Sequence, residues 1–306
     1  MLIRVLGSAA GGGFPQWNCG CPNCTGVRRG SVRASPRTQE SVAVSADGEF
    51  WFLLNVSPEI RTQIESFEGL HPRRARGTPI AGIVLTNGDL DHCLGLLSLR
   101  ESQPLSVYAT EQVRRGFTEG NVLYRTLERF EGQVTWRPLR LGVAAPLVLQ
   151  NGEPSGLEAC ALTVPGKPPL HLIGREAASP EDNIGLSIRE LRSGKVLAYL
   201  PGVGAMAPSI EQATAEADAV FFDGTFWASD ELVALGAGNR RAEDMAHWPI
   251  GGTRGSLAML RQLGARYRVL IHLNNTNPIL LDDSPERKAV EAAGVAVAYD
   301  GMELSL

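Results

Sequence analysis

Histidine and cysteine are scarce in this 306-residue chain, with only five of each available for metal or thiol chemistry. An odd number of cysteines, three of them within Cys19 to Cys24, argues against a disulfide framework and towards metal or thiol chemistry. Charge of one sign is also missing. A net charge of −4 with scattered Lys and Arg leaves no footprint for nucleic acid. No apolar run approaches the ~18 residues of a membrane span; Phe50 to Val56 is the sort of run present. Met1 to Ala10 carries Arg4 inside its apolar stretch and runs into glycines, unlike a signal peptide, so the expected compartment is the cytoplasm. Gly7 to Gly13 is not G-x-G-x-x-G, and neither G-K-[ST] nor G-x-S-x-G occurs. Dinucleotide, P-loop and nucleophile-elbow chemistry are therefore unsupported. Metal chemistry is what remains.

What is present reads as short β runs alternating with turns and helices. Leu2 to Leu6 is a strand, and Ser41 to Ser45 with Phe50 to Val56 form a hairpin around Asp47-Gly48. Pro58 to Phe67 is expected as a helix, Ile80 to Thr86 as a buried strand, and Leu94 to Leu99 as a helix after the loop Asn87 to His92. Further strands are expected at Ser106 to Ala109, Gly185 to Arg189, Val196 to Leu200, Ala219 to Phe222 and Arg268 to His272. Helices are expected at Ile210 to Ala217, Gly255 to Leu263 and Pro285 to Ala293. The less periodic stretch Thr118 to Pro180 reads as insertions around the sheet. The length allows two domains, but strands on both sides of helices and the lack of a linker predict one layered α/β domain over 1–306.

Four clusters carry candidate chemistry. Cys19, Cys21 and Cys24 stand at C-x-C-x-x-C spacing in a loop over 17–25, where three thiolates can converge on one tetrahedral zinc. Its fourth ligand is open: Asn275 is a poor candidate chemically, and a spare His or water would serve better. Cys93 and Cys160 are isolated and read as small core residues. Asp89, Asp91 and His92 fall where a buried strand meets a helix, the place where α/β sheets set their ligands; the plain alternative is a polar turn. Asp223 and His272 each end an apolar strand, and His247 lies in a loop before a helix. His71 and His171 read as bystanders.

The stretch from Leu85 to Leu96, Leu-Thr followed by Asp91-His92 and then Gly95-Leu96, resembles the signature of the metallo-β-lactamase superfamily, whose loop is normally His-x-His-x-Asp-His. Asn87 and Asp89 stand where the first two His would be, and Asp91 and His92 are retained. Further motifs occur in one order: Trp17-Asn18 with the three cysteines, Val164 to Leu170, Asp223 to Trp227, His272 to Leu280, Ser284 to Arg287 and Asp300 to Met302. Together they resemble, over the whole chain, the family that acts in biosynthesis of the cofactor pyrroloquinoline quinone (PQQ). The resemblance implies an αββα sandwich of two mixed sheets with outer helices. It also implies iron- and O2-dependent hydroxylation or oxidation of the tyrosine-derived ring of a Glu-Tyr precursor.

On that reading His92 and His272 supply imidazoles to Fe(II), with Asp89 or Asp91 as carboxylate. His247 is the acid/base, Asp223 completes the metal shell or orients His272, and zinc in the thiolate loop is structural. The missing imidazoles equally motivate a non-catalytic carrier of PQQ or its precursor towards the periplasm. A di-metal phosphodiesterase is the third alternative. Expected partners are a small-molecule or dipeptide-derived precursor and other proteins of the pathway, with neither nucleic acid nor membrane. A homodimer is left open.

Overall fold

The computed structural model of the chain describes residues 1–174 and 177–306. The first half holds β1 (Leu2–Gly7), β2 (Ser41–Ser45), β3 (Trp51–Leu54), β4 (Ile80–Val84), β5 (Leu105–Ala109) and β6 (Val134–Pro138). Then come β7 (Ala144–Val148), β8 (Pro154–Thr163), β9 (Ile184–Glu190), β10 (Val196–Leu200) and β11 (Ala219–Asp223). The last three are β12 (Tyr267–Ile271), β13 (Ala296–Val297) and β14 (Glu303–Ser305). They form two 7-stranded sheets, ordered β14-β1-β2-β3-β4-β5-β6 and β13-β12-β11-β10-β9-β8-β7. Both are mixed. β3 to β6 run parallel in the first sheet, and β10 to β13 run parallel in the second.

The helices are α1 (Pro22–Arg29), α2 (Ile60–Glu65), α3 (Leu90–Cys93), α4 (Glu111–Thr118), α5 (Pro208–Glu216), α6 (Glu231–Ala234), α7 (Ser256–Leu260) and α8 (Pro285–Ala292). Local chemistry starts several of them. Thr110 accepts from the Val113 N–H at the start of α4, and Ser284 accepts from the Arg287 N–H ahead of Pro285 in α8. None of the described helices is long and apolar enough to cross a membrane.

Three apolar layers explain why the parallel strands read as unbroken apolar runs. Ile3, Val44 and Phe52 of the first sheet pack with Leu157, Leu186 and Phe221 of the second, so the sheets lie face to face. On the outer face of the first sheet, Leu53, Ile83 and Val107 pack with Val113 and Phe117 of α4. On that of the second, Ala198, Val220 and Leu270 pack with Ile210 of α5 and Val290 of α8. This is the αββα order expected.

Three expectations are corrected. The stretch Thr118 to Pro180 supplies β6, β7 and β8, so it builds sheet margins rather than insertions around them; residues 175 and 176 lie outside the described part. The reason is partial exposure: β7 carries Pro146 at a sheet edge, and β8 alternates buried with half-exposed residues, so neither makes a long apolar run. The helix expected at Leu94 starts at Leu90, and Leu94–Ser98 continues it as a 3-10 turn. The thiol loop ends sooner than expected, since Cys24 already lies in α1.

Candidate metal centre

The parallel strands bring four chemically important positions to one edge of the sandwich. Asn55 follows β3, the Asn87–His92 segment follows β4, Asp223 ends β11 and His272 follows β12. There the Nε2 atoms of His92 and His272 stand 3.2 Å apart. Asp91 Oδ2 is 3.3 Å from His272 Nε2 and 3.6 Å from His92 Nε2. Donor atoms on a single ion with bonds of about 2.1 Å are separated by roughly 3.0–3.4 Å. Two of the three separations fall in that range and the Asp91–His92 distance of 3.6 Å lies just beyond it, so the three groups fit one metal ion after a small adjustment.

Each ring is oriented from behind. Thr225 Oγ1 lies 2.6 Å from Asp223 Oδ1 and 2.8 Å from His272 Nδ1. The shorter contact is charge-assisted, so the single hydroxyl proton goes to Asp223. The hydroxyl then accepts from His272 Nδ1–H, which leaves the Nε2 lone pair facing Asp91 and His92. Asp223 Oδ2 lies 2.7 Å from His247 Nδ1, a hydrogen-bonding distance that makes the two a dyad. His247 also stacks on His272 with centroids 5.4 Å apart. Behind His92, the Asn55 amide oxygen accepts from Thr86 N–H and Oγ1–H, which turns its Nδ2 towards His92 Nδ1 at 2.6 Å. Glu40 Oε2 lies 3.5 Å from that nitrogen and accepts from Asn55 Nδ2 at 2.9 Å.

The electrostatics suit a cation. Glu40, Asp91 and Asp223 each bring a carboxyl oxygen within 4 Å of a histidine nitrogen. Burial pushes Glu40 up to about 8 and presses His92 down to about 4, so the His92 ring is neutral at pH 7. Burial works against Asp91 too, but the neighbouring His92 and His272 hold its carboxyl well below the usual range. His272 is lowered by burial and raised more by its Asp91 hydrogen bond, the Asp91 charge and the charges of Asp223 and Glu40. Asp223 is likewise held low by His247 despite burial.

The three thiols also converge, with Cys19, Cys21 and Cys24 forming a group at metal-binding separation. Cys21 caps α1, its Sγ accepting from the Cys24 N–H. Burial raises Cys21 to about 12; Cys19 is lowered, because hydrogen bonds from Cys21, Cys24 and Asn275 outweigh its burial. No His, Asp or Glu joins this group among the described residues; Asn275 lies over it instead. Cys19, Cys21, Asp91, His92, His247 and His272 all border one cavity of about 790 Å³.

Residues 50–273 match the model of the beta-lactamase superfamily domain. Over the full length of both chains, the sequence is 43% identical to coenzyme PQQ synthesis protein B of Azotobacter vinelandii. It is 41% identical to the solved zinc-bound PqqB of Methylobacterium extorquens, with a TM-score of 0.92 and complete coverage of both chains. The chain belongs to the PqqB family. A diphosphatase of the PhnP family shares the fold, at 21% identity and a TM-score of 0.67, covering 100% of this chain and 97% of the other.

In this PqqB-family chain the expected site residues divide. Asp91, His92 and His272 come together, and Asp223 with His247 adjoins them through His272. Asp89 stands apart from both groups: its Oδ1 accepts from the Leu170 N–H, and burial and the nearby Asp91 raise its carboxyl. Asn87, where the superfamily loop has its first His, donates to Asn183 Oδ1 at 3.2 Å. His247 does not adjoin a helix start, because α7 begins only at Ser256. His71 meets the Glu65 carbonyl, and His171 is exposed. Sequence reasoning missed Glu40, Asn55, Asn183 and Thr225. The signal for Asn55 was a polar residue closing the apolar run Trp51 to Leu54, and Thr225 lay unused inside the Asp223 motif.

Proposed function

We propose that the protein acts in PQQ biosynthesis and performs an iron- and O2-dependent hydroxylation or oxidation of the tyrosine-derived ring of the Glu-Tyr precursor. The observation that carries this reading is the convergence of Asp91 Oδ2, His92 Nε2 and His272 Nε2, 3.2–3.6 Å apart, on a cleft wall. Two imidazoles and one carboxylate beside open space are the donor set of non-haem Fe(II) oxygenases. When bound, iron supplies the redox chemistry that O2 requires. Family membership with proteins called coenzyme PQQ synthesis protein B supports the pathway.

The chain's own residues do the rest. The cavity of about 790 Å³ is large enough for a dipeptide-derived substrate. Lys167 and Arg240 border it and meet the substrate's carboxylates. His247, held by Asp223 through Nδ1, keeps Nε2 for taking or returning the proton of a ring hydroxyl. Cys19, Cys21 and Cys24 hold a structural zinc, and the protein works in the cytoplasm as one domain. Asn87 and Asn183 offer only amides where a second ion would need imidazoles, and Asp89 stands apart from the donor groups, which favours oxidation over two-ion hydrolysis.

The test combines metal analysis with O2 uptake on the dihydroxyphenylalanine-like dipeptide. Iron-loaded protein is expected to consume O2 and convert the substrate. Iron-loaded protein that does neither overturns the proposal, and tight binding of mature PQQ without turnover then favours the carrier.

A further inference from the structure

His92 has two partners that ask opposite things of it. Its Nδ1 lies 2.6 Å from Asn55 Nδ2 and 3.5 Å from Glu40 Oε2. An amide nitrogen only donates, so against Asn55 the ring nitrogen accepts, and the single proton of the neutral imidazole sits on Nε2. Against a carboxyl oxygen Nδ1 donates, which frees the Nε2 lone pair. The Asn55 amide cannot turn over to offer its oxygen instead, because Oδ1 accepts from the Thr86 backbone N–H, a donor fixed in place.

With Nε2 protonated, five side chains form one run of hydrogen bonds. Asn55 donates to His92 Nδ1, His92 Nε2 to His272 Nε2, His272 Nδ1 to Thr225 Oγ1, and Thr225 to Asp223 Oδ1. A metal ion needs the lone pair at the middle of that run. One proton then leaves His92 Nε2 and one joins Nδ1, and the ring stays neutral.

The surroundings are built for that exchange. The two hydrogens of Asn55 Nδ2 have three acceptors in reach, since Glu40 Oε2 lies at 2.9 Å and Tyr199 Oη at 3.3 Å beside His92 Nδ1. When Nδ1 stops accepting, both hydrogens keep a partner. Glu40 is buried, and its Oε1 has no hydrogen-bond partner among the described residues. A shift of about half an ångström brings the carboxyl to ordinary hydrogen-bonding distance of Nδ1 and breaks nothing at Oε1. The backbone behind it is held, with Glu40 N–H donating to the Ala9 carbonyl and Ser41 Oγ to the Asn55 carbonyl. Either protonation state of Glu40 serves, because a carboxylic acid keeps a carbonyl oxygen that accepts.

We propose that Glu40 is the positioning residue that makes His92 a metal ligand, accepting from Nδ1–H and so replacing the tautomer bonded to Asn55 and His272 by the one that binds an ion. It rests on the Asp/His metal centre described above and supplies the reason for His92 to present a lone pair there. Without Glu40 the contacts around the ring favour Nε2–H, and an ion binds against them.

The experiment uses the full chain with nitrogen-15-labelled histidine, comparing wild type with E40L and E40Q at equal far-UV circular dichroism. Loss of its signals in H92N assigns His92. Leucine fills the buried position without an acceptor, and glutamine keeps an oxygen there. Chelator-treated wild type is expected to show His92 protonated at Nε2, and zinc-saturated wild type at Nδ1. Cobalt affinity of the Asp/His centre is read from ligand-field bands, separate from thiolate charge-transfer bands. E40L is expected to bind cobalt there roughly tenfold or more weakly, and E40Q within about threefold of wild type. E40L as tight as wild type overturns the role of Glu40. Equal weakening in E40Q traces the loss to charge rather than to the acceptor and overturns the assignment too. Zinc-saturated wild type with His92 still protonated at Nε2 overturns the tautomer exchange. Wild type that takes up no cobalt at the Asp/His centre overturns the metal-centre reading itself. None of these measurements uses O2 uptake, so failure of the proposed oxidation is told apart from failure of the Glu40 assignment.

Discussion

Thr225 shows how much a single hydroxyl decides. It joins Asp223 at 2.6 Å to His272 at 2.8 Å and so sets which nitrogen of His272 is free for an ion. Thr225→Val keeps the shape but strands two buried partners, at a cost of about 1–3 kcal/mol. Outer groups of this kind are worth roughly 10- to 100-fold in metal affinity. Competitive metal titration of the Asp/His centre is expected to show such a loss in T225V and its recovery in T225S. Asn55 holds the His92 ring from behind, with Nδ2 2.6 Å from Nδ1, and, like His272, adopts a left-handed backbone, with φ 61. Asp91, His92 and His272 were legible as residue types at strand ends. Choosing Asp91 over Asp89 was not, because two carboxylates two positions apart look equivalent until the turn into α3 aims one at the histidines and the other at Leu170.

At the scale of elements, the β2–β3 hairpin was readable because its turn chemistry is local. Asp47 Oδ1 accepts from the N–H groups of Glu49 and Phe50 and from Ser45 Oγ. Partial burial would raise its carboxyl, but these hydrogen bonds lower it. A carboxylate depressed in the fold stabilises above its unfolded pKa, near 3.9, and that stability is lost as pH falls through the folded value. Asp47→Asn is therefore expected to lower stability at pH 7 by up to about 1 kcal/mol, given solvent screening at this exposed turn. The gap from wild type shrinks below about pH 4, as urea unfolding across pH would show. The edge strands β6 and β7 were not readable on such grounds. Half-exposed, they lack both a buried apolar run and a defining turn.

For the whole molecule, Cys21 and Asn275 meet across 254 positions, and the thiol loop and the Asp/His centre border one cavity. Cys21→Ser separates two roles of that residue, since Ser is itself a favoured N-cap and preserves the start of α1. Stability lost in C21S therefore reports the metal rather than the cap. C21S is expected to carry less zinc and to melt several degrees lower than zinc-loaded wild type, and chelation of wild type to reproduce the shift. Equal zinc content and equal Tm in C21S and wild type would remove the structural role of the site.

The amino-acid sequence by itself determined the layered α/β class, the three-thiol cluster and the kinds of donor at each strand end. Apolar periodicity, ligand spacing and side-chain chemistry are local properties, and they survive without a fold. Only the tertiary structure decided which donors share an ion, because β4 and β12 lie in different sheets and Asp91 and His272 meet across 181 positions. It alone placed Glu40, Asn55 and Thr225 behind the rings and set Asn275 over the sulfurs. Those contacts depend on sheet order and on the packing of one sheet over the other, and no residue's immediate neighbours encode them.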